Sequence, residues 1–147
     1  MKKFAFPLER LRRWRELERE KEEVKLQALF AELENLNQAQ AALDREMHGA
    51  EEFARRATPD LDELKALDNY RRWADCERLR MAQRRAHTER RIEEQRRILT
   101  ESERKVEVLD QLKAEQGEAW RKELDKEQEQ LVAELVVARW GRGTPGS

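Results

Sequence analysis

An all-α fold is expected, a long antiparallel two-helix coiled-coil hairpin whose second helix is the longer. Three features of the 147-residue sequence predict it. Apolar residues step by threes and fours from Leu26 to Ala57, a spacing that keeps them on one stripe of a helix. The stripe is interrupted by Thr58-Pro59-Asp60. A second stretch of helical character, free of proline, then runs to about Trp140. Such a narrow stripe cannot close a globular core, so the natural cover for it is the chain's own second half. Charged residues make up 43% of the chain and aromatics 6%, too little apolar bulk for several packed layers. The bias toward Glu, Lys, Arg, Leu and Ala at this periodicity is the compositional mark of a coiled coil.

The first helix is expected over about residues 6–57. Pro7 suits a first turn, where its missing N–H is not needed. The early apolar face reads Leu8, Leu11, Trp14, Leu17 and Val24. The seam then continues through Leu26, Leu29, Leu33, Leu36, Gln40, Leu43, Met47, Ala50, Ala54 and Ala57. Gly49 weakens the helix locally by about 1 kcal/mol relative to alanine. A tight turn follows at about 58–60, with Thr58 as cap and Pro59 as the first residue of the next helix. Asp60 and Asp62 lie near the positive end of its dipole. A kink in one continuous helix is the alternative to a turn.

The second helix is expected over about 60–139. Its seam reads Leu61, Leu64, Leu67, Tyr70, Ala74, Met81, Thr88, Ile92, Gln95, Leu99, Ser102, Val106 and Leu109, with Gly117 a soft point. Residues 141–147 read as a flexible tail, which leaves 1–140 as a single hairpin domain. At 1.5 Å per residue the helices span about 75 and about 120 Å. A turn near residue 59 brings Leu8 to the neighbourhood of Asp110, and everything beyond about residue 111 overhangs. That overhang carries Leu112, Trp120, Leu124, Leu131, Leu135, Val136, Val137 and Trp140. An apolar surface of that kind marks a binding site, unless a bend or self-association covers it. Charge supports the register: residues 71–97 carry a net of +5, and their expected partners, 21–47, a net of −3. A parallel dimer would set arginine block beside arginine block.

The chemistry of an enzyme is not visible. No phosphate-binding glycine loop, metalloprotease helix pair or nucleophile elbow is present. His48 and His87 are solitary, and the carboxylates fall at solvated helix positions. One cysteine, Cys76, allows no intrachain disulfide or cysteine zinc site and fits a reducing cytosol. Neither cofactor nor metal is expected. The longest apolar runs fall short of a membrane span, and the basic start lacks the apolar stretch of a signal peptide. The net charge of −1, and the acids scattered through the arginine-rich stretch, argue against nucleic acid as partner.

Several segments together resemble the FliJ family, small components of the bacterial flagellar type III export apparatus. The opening Lys3-Phe4-Ala5-Phe6-Pro7-Leu8-Glu9-Arg10-Leu11 is similar to that family's start. Tyr70-Arg71-Arg72-Trp73 resembles its paired aromatics after the turn. Val106-Glu107-Val108-Leu109-Asp110-Gln111-Leu112-Lys113, then Trp120, Glu127-Gln128 and Leu131, follow its C-terminal pattern. Two departures stand out: Val132-Ala133 replaces an acidic pair frequent in the family, and Glu77 and Arg80 break the apolar face after the paired aromatics.

The resemblance implies a non-enzymatic coiled coil like the central stalk of rotary ATP synthases. Its joined N- and C-terminal end would enter the hexameric export ATPase ring (FliI), with Phe4, Phe6, Leu8, Trp120, Leu124, Leu131 and Leu135 in contact. Tyr70 and Trp73 would meet the cytoplasmic region of the export gate (FlhA), and export chaperones would be further partners. The implied location is cytoplasmic, peripheral to the export apparatus of the inner membrane, with no insertion into it. A homodimeric coiled-coil scaffold, or the equivalent stalk of a virulence secretion system, is the competing expectation.

Overall fold

The computed structural model describes residues 3–143. Helix α1 runs Glu9–Arg56, 48 residues, and helix α2 runs Leu61–Gly143, 83 residues. They pair as an all-α hairpin with the longer helix second, and no strand occurs among the described residues. By its internal contacts the chain divides into two compact units, Arg19–Glu101 around the turn and Met1–Glu18 with Ser102–Ser147.

The helix ends differ from expectation in instructive ways. Helix α1 starts at Glu9, not near residue 6, because a residue preceding proline is held out of the helical region. Phe6 therefore stays outside the helix, and its carbonyl accepts from the Glu9 N–H at 3.1 Å. Asp60, not Thr58, caps α2. Its carboxylate accepts from the Glu63 N–H at 2.8 Å and its carbonyl from the Leu64 N–H at 3.1 Å. Asp60-Leu61-Asp62-Glu63 has the cap-x-x-Glu spacing of a helix start, so Pro59 precedes the helix and does not open it. At the far end the helix continues through Gly141, Arg142 and Gly143, where a tail was expected. None of the described glycines takes a positive φ, so Gly141 does not act as a left-handed helix stop. Residues 144–147 of the expected tail lie outside the described residues.

In the unit around the turn, Leu43 and Met47 of α1 close on Ala74 of α2, with Tyr70 and Met81 packed against them. Further along, Leu29, Thr88, Ile92 and Gln95 are buried. The expected seam from Leu26 to Ala57 is buried or half-buried throughout. Arginines of α2 reach acids of α1 from Arg71 to Glu51, Arg78 to Asp44 and Arg91 to Glu32, at 2.8–3.4 Å. Others turn to their own helix, as Arg72 does to Asp68 and Arg80 to Glu77. These exposed pairs select orientation more than they stabilise, at about 0–1 kcal/mol each.

Two expected stretches of seam are not seam. Leu8, Leu11, Trp14 and Leu17 become progressively exposed, 38, 39, 51 and 56%, and Val24 is exposed as well. Each step of three falls about 60° short of a full turn, so this stripe walks round the helix and off the contact. Leu61 and Leu64 are exposed for the same reason: their steps of three only reach the seam at Leu67 and Tyr70.

Gly49 sits in α1 with nothing within 4 Å of where a Cβ would stand. Gly49→Ala is therefore expected to stabilise the hairpin by about 0.5–1 kcal/mol, read as a raised midpoint in urea unfolding with an unchanged slope.

Candidate functional site

The unit that joins the two chain ends begins with a short strap. Phe6 is buried beside the helix pair, as are Val106 and Leu109 of α2. The Phe4 ring lies 3.5 Å from the position a Gly117 Cβ would take, and 6.2 Å from Trp120 between ring centres, at a 46° tilt. The strap is anchored by charge. Arg12 donates to Glu9 at 2.8 Å and to Asp110 at 3.4 Å, and Lys113 donates to Glu9 at 3.1 Å. Held first by Arg12 and then by Lys113, the Glu9 carboxyl is lowered to about 2.

This strap shortens the expected overhang. Extended chain advances about 3.3 Å per residue against 1.5 Å for a helix, so a few residues cover a longer piece of α2. Cover reaches Trp120, not residue 111. Leu112, Trp120 and Leu124 are half-buried.

Beyond them α2 is bare. Leu131, Val132, Leu135, Val136, Val137 and Trp140 are between 49 and 75% exposed. Only Glu134 and Arg139 are charged between residues 131 and 140. At 100° per residue, the large apolar side chains of this segment spread over about two thirds of the helix circumference, with Glu134 in the remaining sector. A helix that is apolar over so wide an arc belongs in an interior. One flat partner could cover only part of it, whereas a sleeve or a bundle could cover it all. Fully burying a valine or leucine side chain stabilises by about 1.5–3 kcal/mol, so enclosure of this end is a large driving force.

The residues expected to meet a ring thus separate into three groups. Phe6 is part of the packing and has little surface to offer. Phe4, Trp120 and Leu124 are half-buried, with Phe4 and Trp120 on each other, and Leu8 keeps 38% of its surface. Leu131 and Leu135 are open. Val136, Val137 and Trp140, expected in the overhang but not among the ring contacts, share that open end, and so does Val132, which was expected in neither. The signal for them was Val136-Val137 and Leu131-Val132, adjacent apolar residues that cannot share one stripe.

The aromatic pair in the other unit also separates. Tyr70 and Trp73 stack with ring centres 5.7 Å apart at 29°. Tyr70 is half-buried and donates its hydroxyl to Glu46 at 3.3 Å. The phenol is raised above its ordinary pKa by burial and then by that carboxylate. Trp73 is exposed. Cys76 is likewise an exposed thiol.

No helix among the described residues is long and apolar enough to cross a membrane. The fold defines a helical hairpin with an uncovered apolar end. The chain matches no protein-family model, and no curated protein or solved structure is similar to it at a significant level.

Proposed function

We propose that this chain is a stalk-like adaptor of a bacterial flagellar type III export apparatus, working through binding surfaces and without chemistry of its own. The observation that carries the reading is the end of α2, apolar over most of its circumference from Leu131 to Trp140 and largely exposed. A hexameric export ATPase ring with a central opening is a partner that could surround such an end. The strap of Phe4 and Phe6 braces α2 just before it. In this reading the exposed Trp73, stacked on Tyr70, faces the export gate, export chaperones are further partners, and the protein works at the cytoplasmic side of the inner membrane. The resemblance of the opening residues to the flagellar family's start supports the flagellar assignment over a virulence-type stalk.

Trp120→Ala is a poor test, since it also removes the partner of Phe4. The cleaner variant is Leu131→Gln with Leu135→Gln and Val136→Gln, all on open surface. Helical content by circular dichroism should be unchanged. Binding to the purified export ATPase should weaken at least tenfold, about 1.4 kcal/mol, and stimulation of ATP hydrolysis should fall with it. Undiminished stimulation by the triple variant would sink the proposal. Sedimentation at micromolar concentration separates the scaffold reading, which requires a stable dimer where the stalk requires a monomer.

A further inference from the structure

At the closed end of the hairpin the helices do not fill the space between them. The α1 seam changes there from Leu43 and Met47 to Ala50, Ala54 and Ala57, which are too short to meet Leu64, Leu67 and Tyr70 of α2. A cleft of about 300 Å³ remains. Phe53 forms part of its wall and is largely exposed. Alanines along the floor let another backbone approach closely. Both flanking backbones are hydrogen-bonded within their helices, so no edge is offered to an extended peptide. The shape suits a third helix laid into the groove between two others.

Charge specifies what that helix should carry. Glu63 lines the cleft, and Asp60 and Asp62 are its neighbours in sequence at the start of α2; none of the three forms an ion pair among the described residues. Glu46, at the inner end, takes only the Tyr70 hydroxyl. Of the nearby bases, Arg56 pairs with Glu52 and Arg71 with Glu51, each at 3.4 Å, while Arg55 and Lys65 are exposed; acids still outnumber bases by seven to three over residues 46–70. An apolar floor beside an excess of carboxylates selects an apolar face flanked by lysine or arginine, and it repels an anionic lipid surface.

We propose that this cleft is a docking site for a basic amphipathic helix of a partner protein. The site lies within the unit around the turn and is independent of the ring contact at residues 131–140. The two proposals therefore fail separately: the triple glutamine variant above leaves the cleft intact.

The probe is an 18-residue helical peptide of leucine and lysine, titrated into the isotope-labelled full chain, with a leucine and glutamate peptide of the same pattern as counterpart. Amide shifts from the lysine peptide should centre on residues 46–70, and the glutamate peptide should bind much more weakly. Asp62→Lys with Glu63→Lys, both exposed, should weaken the lysine peptide roughly tenfold. Ala54→Trp, which fills the floor, should abolish its binding. Because that variant could also disturb packing, the charge variant decides on its own, with circular dichroism confirming unchanged helicity. Equal binding of the two peptides, shifts confined to residues 131–140, or an unchanged affinity in the charge variant overturns the proposal. So does preferential binding of the chain to anionic vesicles through this end, or self-association that the charge variant abolishes.

Discussion

Ala74→Asp should open the closed end of the hairpin. Ala74 is 0% exposed and sits between Leu43 and Met47, with Tyr70 and Met81 around them. The carboxylate would enter an apolar cluster with no basic side chain in it, and an uncompensated buried charge costs about 3–5 kcal/mol. Helix propensity is a minor part of this, since aspartate lowers it by only about 0.7 kcal/mol. The chain supplies its own control: Asp75, one residue along, is tolerated on the outer side, where it pairs with Arg78 at 3.5 Å. The expected result is a thermal midpoint lowered by many degrees, with amide exchange accelerated first around residues 43–81. Ala74→Ser, which brings a hydroxyl and no charge, should cost about 1–3 kcal/mol. A loss for Ala74→Asp no larger than that for Ala74→Ser would mean that the helices are not closed around residue 74.

The residues that made the hairpin legible are those whose spacing alternates threes and fours. From Leu26 to Ala57 the stripe stays in phase with the helix, so direction and burial could both be read. Where successive steps are all threes, as at Leu8 to Leu17 and Leu61 to Tyr70, the same residue types gave a false seam at the end that drifted. The cap at Asp60 was legible from its spacing to Glu63, but Thr58 before a proline competed with it. The length of the uncovered end could not be read correctly while the first residues were counted as helix. Phe4 reaches Trp120 only because the strap is extended. The cleft at the turn lay in plain view as a change from leucine to alanine along one seam. Small side chains in a seam signal either close helix approach or a gap, and only the position of Leu64 and Leu67 decides between them.

Gln95→Glu should turn a stabilising contact into a pH-dependent conflict. The Gln95 amide donates to the Glu22 carbonyl at 3.0 Å and to the Glu22 carboxylate at 2.5 Å, in a stretch of seam where Gln95 is buried. In the native chain that donation, followed by Lys25, lowers the Glu22 pKa. A lowered folded-state pKa contributes stability above the ordinary carboxylate range, and this is lost as pH falls through the folded value. Glutamate at 95 has nearly the same shape but no N–H to give. Two carboxylates would then face each other across the helix pair, and one of them is forced to keep a proton to a higher pH than in the unfolded chain. The sign reverses: the variant is weakened at neutral pH, on the order of 2 kcal/mol, and recovers as pH falls through that raised pKa toward the ordinary range. Lys25, at 3.3 Å from Glu22 and largely exposed, moderates the effect without removing it. Urea unfolding at pH 7 and pH 5 distinguishes the cases, because the native chain should not gain stability on acidification over that interval and the variant should. Parallel pH profiles for the two proteins would show that Gln95 and Glu22 are not in contact, and with them would go the cross-helix register of this stretch.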